Sequence, residues 1–454
     1  MLIPIPMNNV AVTAAGLSAP EISEKKLRVL LVPDSIHWIT GTIAKSIVEH
    51  NAWIDGTIVS GPVLDVIAEA NEELFSAFDV VHFLCPYASK KWLPVLRSRI
   101  ACVTSHHHVS AWEAQQHNLD GDAIVVGSTQ WADDIIARGA SPDHVFCVPY
   151  GVDASQFVPA TAESRSAVRR ELAIPIDAMV VGFFAKRSSN ELDRKGTDIF
   201  SDAIQRLSRE LPKLAVLISG PGWHDFVGTL EANGVNCVWL PFVRDSVAMA
   251  RMYHVLDFYW VTARVEGGPV TLLEAMSCGV CCITTRVGLA RQIVVNEVNG
   301  VTVPFDDASA VVRRTVALVR EPRARSAMGI EARHTILTTM DVRITTRKIR
   351  AVYASALKNL DDRLGTSGHR PNVSAPRGET ALPPELANKL AMFEQLEWAE
   401  ALLLQDQRMV ALRIICETWL QNPRSSFPPR HLLRNLLPKS FVRAFVKMKA
   451  TLAA

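Results

Sequence analysis

From Leu27 onward, short β-branched apolar runs alternate with stretches whose apolar positions recur at helical spacing. Arg28-Val29-Leu30-Leu31-Val32 is followed by a helical pattern around Ile43 to His50, then by runs at Val80 to Leu84, Ile100 to Val103, Ile124 to Val126 and Val145 to Val148. A second series begins at Met179-Val180-Val181-Gly182-Phe183 and continues through Leu214 to Ser219, Val235 to Leu240, Phe258 to Val261, Val280 to Ile283 and Val301 to Val303. Such alternation predicts parallel sheets covered by helices, here two of them. Two doubly wound domains joined near Gly151-Val152-Asp153 place a cleft at the carboxyl ends of their strands, where ligands of open α/β sheets bind. A chain of 454 residues is too long for one core and agrees with several domains.

The divisions expected are a flexible segment over 1–26, an amino-terminal domain over 27–150, a carboxyl-terminal domain over 151–340, a helix over 341–364, a Gly- and Pro-rich linker over 365–380, and a helical extension over 381–454. In the extension, Lys439, Arg443 and Lys447 share one helix face opposite Val442, Phe445 and Val446. Such a helix suits either an anionic bilayer surface or packing on protein.

A net charge of +2 gives no case for bulk attraction to nucleic acid. The first twenty residues lack Lys and Arg, unlike a secretory leader, and no run of about twenty apolar residues suggests a membrane span. Eight cysteines in so long a chain read as reduced thiols and a cytoplasmic setting, at the inner face of the membrane if the basic helix engages it. Cys278, Cys281 and Cys282 lack a second pair or a histidine at ligand spacing, so no metal is expected there.

Chemistry concentrates in Glu266-Gly267-Gly268-Pro269 and the helical run that follows it to Gly279. Pro269 suits the first position of a helix, and the amides of Val270, Thr271 and Leu272 would then lack internal partners. With the macrodipole, such a terminus is an anion site. Glu266 precedes it and Glu274 lies roughly 7–8 Å along the helix at 1.5 Å per residue, so a diphosphate there has one carboxylate near each end. Neutral hydroxyls of a sugar and a ribose are what carboxylates bind beside an anion; the plain alternative is a surface helix with acids at both ends. Asp120-Gly121-Asp122 has a spacing used for metals but stands alone before a strand, as a turn would.

Asp257-Phe258 through Arg264, then Glu266-Gly267-Gly268-Pro269, Leu273-Glu274-Ala275-Met276 and Gly279, resemble the signature of retaining nucleotide-sugar glycosyltransferases of family 4, whose fold is GT-B. Val148-Pro149-Tyr150-Gly151-Val152-Asp153, Arg194-Lys195-Gly196, Asn299-Gly300 and Thr104 to His108 resemble further segments of that family, in order. The resemblance covers roughly residues 27 to 357 and is looser in the first half. It implies two Rossmann-like domains facing across a cleft, with the chain returning to the first domain after Asp341.

It also implies transfer of a hexose from a nucleoside diphosphate sugar to a saccharide or lipid-linked acceptor hydroxyl, without a metal cofactor. Glu266 and one of the three histidines, His107 for preference, would then meet the transferred sugar; Glu274 would meet the ribose. Gly268, Val270, Thr271 and Leu272 would line the diphosphate, and Lys195 would grip it. The family's second cation follows the glycine that ends a strand, but Phe183 follows Gly182 here, leaving Lys186, Arg187 or Arg194 as substitutes. Gly41 would let backbone approach substrate, where the family often has two glycines. His37 and Trp38 either stack on a sugar or, for Trp38, belong to the core. Tyr150 stands where asparagine is usual and Gln292 where glutamate is. These departures keep two alternatives in view: a sugar-nucleotide epimerase on the same fold, or a non-catalytic sugar- or lipid-binding scaffold.

Overall fold

In the computed structural model, residues 26–365 are described apart from 71, 108–118, 188–193, 241–242 and 244. The amino-terminal segment expected before Lys26, the linker expected beyond Gly365, the expected helical extension with its basic face, and His108 therefore lie outside the described residues.

Two six-stranded sheets carry the molecule, and every pairing is parallel. The first contains β1 (Leu27–Val32), β2 (Ile54–Ile58), β3 (Val80–Phe83), β4 (Ala101–His106), β5 (Ala123–Val126) and β6 (Val145–Cys147), in the order β2-β1-β3-β4-β5-β6. The second contains β7 (Met179–Phe184), β8 (Leu214–Ser219), β9 (Asn236–Leu240), β10 (Phe258–Val261), β11 (Cys281–Thr285) and β12 (Val301–Val303), in the order β12-β11-β10-β7-β8-β9. Strands buried on both faces read as continuous apolar runs, which is why β3, β8, β10 and β11 are buried along their whole length. With helices on both faces of each sheet, this is the GT-B arrangement.

In each sheet the strand order reverses once, between β1 and β3 and between β7 and β10. At such a switch point the loops leaving adjacent strands turn opposite ways and open a crevice. The loops after β7 and β10 carry Lys195 and Glu266; the loop after β1 carries His37 and Trp38.

The chain crosses between domains twice, and the crossings run side by side. Val152 donates to the Met340 carbonyl and Val342 donates to the Val152 carbonyl, both at 3.0 Å. After short turns over Val342–Lys348, the helix Ile349–Leu364 docks on the first sheet, burying Val352, Tyr353 and Ala356. Asp122 is held there: it accepts from the Cys102 amide at 2.9 Å and from the Arg363 guanidinium. Of the acidic pair at 120 and 122, Asp122 thus ties down the returning helix, while Asp120 pairs with Arg97.

Candidate functional site

Between the sheets lies a cleft of about 1060 Å³ whose walls come from both domains. His37, Trp38, Lys45 and His107 face it from the first domain; Lys186, Lys195, Glu266, Gly268, Val270, Thr271 and Glu274 face it from the second.

The helix Val270–Ser277 begins one residue later than expected. Pro269, at ψ 95°, caps it from outside. The amides of Val270 and Thr271 find no acceptor among the described residues, but that of Leu272 donates to the Pro269 carbonyl at 2.9 Å and Leu272 is fully buried. The terminus therefore offers two amides to an anion, not three, because Pro269 folds back as an acceptor.

Lys195 is placed by the turn that opens the helix Thr197–Glu210. Its neighbour Gly196 takes φ 63°, and a β-carbon there would meet the Thr262 carbonyl oxygen at 2.0 Å, so the loop lies flat against the end of β10. From that position the Lys195 ammonium pairs with the Glu266 carboxylate. Sequence reasoning placed these two on a diphosphate and on a sugar; here they touch each other at one spot in the cleft.

Glu274 is half-buried and accepts from the Tyr253 hydroxyl at 2.6 Å. Loss of hydration pushes its carboxyl up to about 7, and the Tyr253 hydrogen bond offsets only part of that. Burial and the Glu274 charge raise Tyr253 in turn, which keeps it a donor.

Of the three basic substitutes considered, the cation that faces the cleft off the end of β7 is Lys186. Arg187 is not at the cleft: its guanidinium lies over the Trp223 and Phe226 rings, 5.5 and 5.4 Å from their centroids. Arg194 does not line the cleft either; its carbonyl accepts from the Arg264 and Val265 amides. Gly182 does not end its strand. It sits in mid-β7 against Leu256, and the strand runs on to Phe184, so the residue after Gly182 is not where a phosphate-binding cation belongs.

His107 is held through both ring nitrogens, by the Tyr150 hydroxyl at Nδ1 and by the Leu84 carbonyl at Nε2, 2.6 Å away. Nε2 therefore donates and Nδ1 accepts. His106 points elsewhere, with Nε2 3.2 Å from Thr104 Oγ1 inside the sheet. The Gly267 backbone passes directly under the His107 carbonyl, where a β-carbon would lie at 1.6 Å, so any side chain at 267 would push the domains apart. Tyr150 fills the space beside Gly268 that an asparagine would leave open.

Gly41 lies behind the cleft wall. Its α-carbon is pressed on the Ile36 backbone, so it shapes the loop and does not itself line the cleft. Trp38, by contrast, is 42% exposed at the cleft mouth and is no core residue. Trp131 was missed by sequence reasoning: it reaches across from the first domain to the Glu266 carbonyl at 2.9 Å. Among the described residues, no group of three or more His, Cys, Asp or Glu could hold a metal ion, and no helix is long and apolar enough to cross a membrane.

Residues 183–335 match the family model of glycosyl transferases group 1, and the side of the cleft that carries Lys186, Lys195, Glu266 and Glu274 lies within that match. Among relatives, the D-inositol 3-phosphate glycosyltransferase of Xylanimonas cellulosilytica is 32% identical over 226 residues, 46% of this chain and 52% of that protein. The GDP-mannose-dependent alpha-(1-6)-phosphatidylinositol monomannoside mannosyltransferase of Mycolicibacterium smegmatis is 28% identical over 199 residues, 41% of this chain and 50% of that protein. The chain spans about half the length of the relatives it matches. The fold is shared with Anabaena HepE in complex with UDP and glucose, at TM-score 0.58 and 16% identity over 72% of this chain and 100% of that one. It is shared also with the sucrose-phosphate synthase of Thermosynechococcus elongatus, at TM-score 0.60 and 15% identity over 73% of this chain and 100% of that one.

Proposed function

We propose that the protein is a retaining glycosyltransferase that moves a hexose from a nucleoside diphosphate sugar to a hydroxyl of a saccharide or lipid-linked acceptor, in polysaccharide or glycolipid synthesis. The observation that carries this reading is the convergence, in one interdomain cleft, of the Val270 and Thr271 amides, the Lys195–Glu266 pair and Glu274. A diphosphate on the amides has Glu274 on one side for ribose and Glu266 on the other for the sugar. Lys195, in contact with Glu266, then lies at the junction between sugar and phosphate.

The bond to break joins the anomeric carbon to the phosphate oxygen, and charge develops on that oxygen. Lys195, Lys186 and the helix terminus stabilise it in a cleft that closes on the donor. The acceptor hydroxyl attacks from the face the diphosphate leaves, and a phosphate oxygen takes its proton, so the anomeric configuration is kept. With these cations and amides serving the leaving group, the reading needs no divalent metal. Relatives named for inositol phosphate and phosphatidylinositol mannoside support a lipid-linked or phosphorylated acceptor.

Glu266→Gln tests the assignment. It should leave the affinity for the free nucleoside diphosphate unchanged and depress turnover, because its contact is with the transferred sugar. Weakened binding of the free nucleoside diphosphate, with turnover spared, would contradict the two-ended geometry.

A further inference from the structure

The strip that carries Glu266 is held by two domains at once. On one flank the amides of Arg264 and Val265 donate to the Arg194 carbonyl at 2.7 and 3.2 Å, anchoring the strip to the loop of Lys195. On the other flank, Val265 packs into the amino-terminal cluster formed by Ile124, Val126, Trp131 and Ile135. Trp131, on the helix Thr129–Ala137, is 7% exposed, and its indole Nε1 donates to the Glu266 carbonyl at 2.9 Å. It is the sole donor to that carbonyl among the described residues. A second cross-domain bond lies beside it, from the Thr129 amide to Gln292 Oε1 at 3.0 Å.

Building on the function proposed above, we infer that Trp131 is a positioning residue: its indole sets the backbone of Glu266, and with it the carboxylate paired to Lys195, only while the two domains are docked. The physical reason is leverage. A rigid indole with one N–H fixes a carbonyl in direction as well as distance, and an error of about 1 Å at a reacting group can cost 10²-fold in rate. The nucleotide end of the cleft rests on residues 270–274 of the carboxyl-terminal domain and does not depend on this contact. Domain docking is thereby coupled to the sugar end of the site and not to the nucleotide end.

Trp131→Phe keeps the aromatic bulk and removes the donor. Turnover of UDP-glucose and GDP-mannose is measured for wild type, Trp131→Phe, Glu266→Gln and the double variant, together with calorimetric affinities for each nucleotide sugar and its nucleoside diphosphate. Trp131→Phe should lower kcat about 10-fold with nucleoside diphosphate affinity within about twofold of wild type, and should cost nothing further in the Glu266→Gln background. It should also remove the part of the affinity that the sugar adds. Equal losses in both backgrounds, or unchanged turnover and unchanged sugar-dependent affinity, would overturn the inference. A wild type that binds these donors and never turns them over would refute the transferase reading, and the affinity comparison alone then decides the role of Trp131. Should Trp131→Phe fail to fold, Gln292→Ala, which loosens the same docking contact without touching Glu266, should give a smaller loss in kcat with nucleotide affinity kept; loss of nucleotide affinity instead would overturn the coupling.

Discussion

Glu274 is where a single residue's environment makes a measurable demand. Its carboxyl, raised to about 7 by loss of hydration, accepts from Tyr253, and its charge adds to the upward shifts of Tyr259 and Cys278. Only the ionised form accepts from two ribose hydroxyls, so nucleoside diphosphate affinity should fall as pH drops from 8 to 6. Comparison with Glu274→Gln isolates the effect, since titration of the ligand is common to both proteins; a wild-type-to-variant ratio that stays flat with pH would refute the ribose role. Stability runs the opposite way. The folded pKa lies above the unfolded one, so the contribution of Glu274 is present at low pH and lost as pH rises through about 7. Glu274→Gln should therefore gain roughly 1–2 kcal/mol on wild type between pH 5 and 8, read by denaturant unfolding. At the other end, Lys195→Ala should slow transfer by about 10²- to 10³-fold, the usual size of losing one charge-stabilising donor.

At this scale the position of Glu266, Glu274 and Lys195 at the cleft was legible, because fixed spacing from a glycine pair or a turn places them. It was not legible for the second cation. Which basic side chain of the 185–195 loop faces the cleft is decided by Trp223 and Phe226, which draw Arg187 away and lie far along the chain.

At the scale of elements, strands with continuous apolar runs were readable and β2 was not. Ile54-Asp55-Gly56-Thr57-Ile58 is an edge strand that buries only Ile54, so its pattern is too weak to separate from a loop. The returning helix illustrates the opposite case: its helical pattern was legible, whereas its anchors were not. His82, buried and pushed down to about 3 by burial, lies between the Tyr353 hydroxyl at 2.9 Å and Ser105 Oγ at 2.8 Å, joining helix to sheet. Arg363→Ala leaves Asp122 buried beside the Cys102 amide without its cation, and should cost about 2–3 kcal/mol, less than for a fully buried pair because Arg363 is partly hydrated. Denaturant titration checks it. An unchanged midpoint would mean that the apolar face alone docks this helix.

At the scale of the whole molecule, two parallel sheets place their switch points on opposite walls of one cleft, and everything the site does depends on that facing. Repeated βα patterning made the two sheets and the cleft at the carboxyl ends of their strands foreseeable. The contacts that lock one domain to the other, Trp131 to Glu266 and Thr129 to Gln292, were not foreseeable, because they join residues 135 and 163 positions apart with no local pattern. If the leaving group is served by Lys186, Lys195 and the helix terminus, turnover should survive strong chelation, and strict dependence on manganese or magnesium would contradict that description.

The proposed function has this cleft transfer a sugar from a nucleoside diphosphate with its anomeric configuration kept. The most direct measurement follows the slow hydrolysis of a panel of nucleotide sugars by NMR, with wild type and Glu266→Gln side by side. One donor should release nucleoside diphosphate and a sugar first observed in the donor's own anomeric form, and Glu266→Gln should slow that release; an inverted first product, or hydrolysis that proceeds equally without Glu266, would contradict the retaining reading.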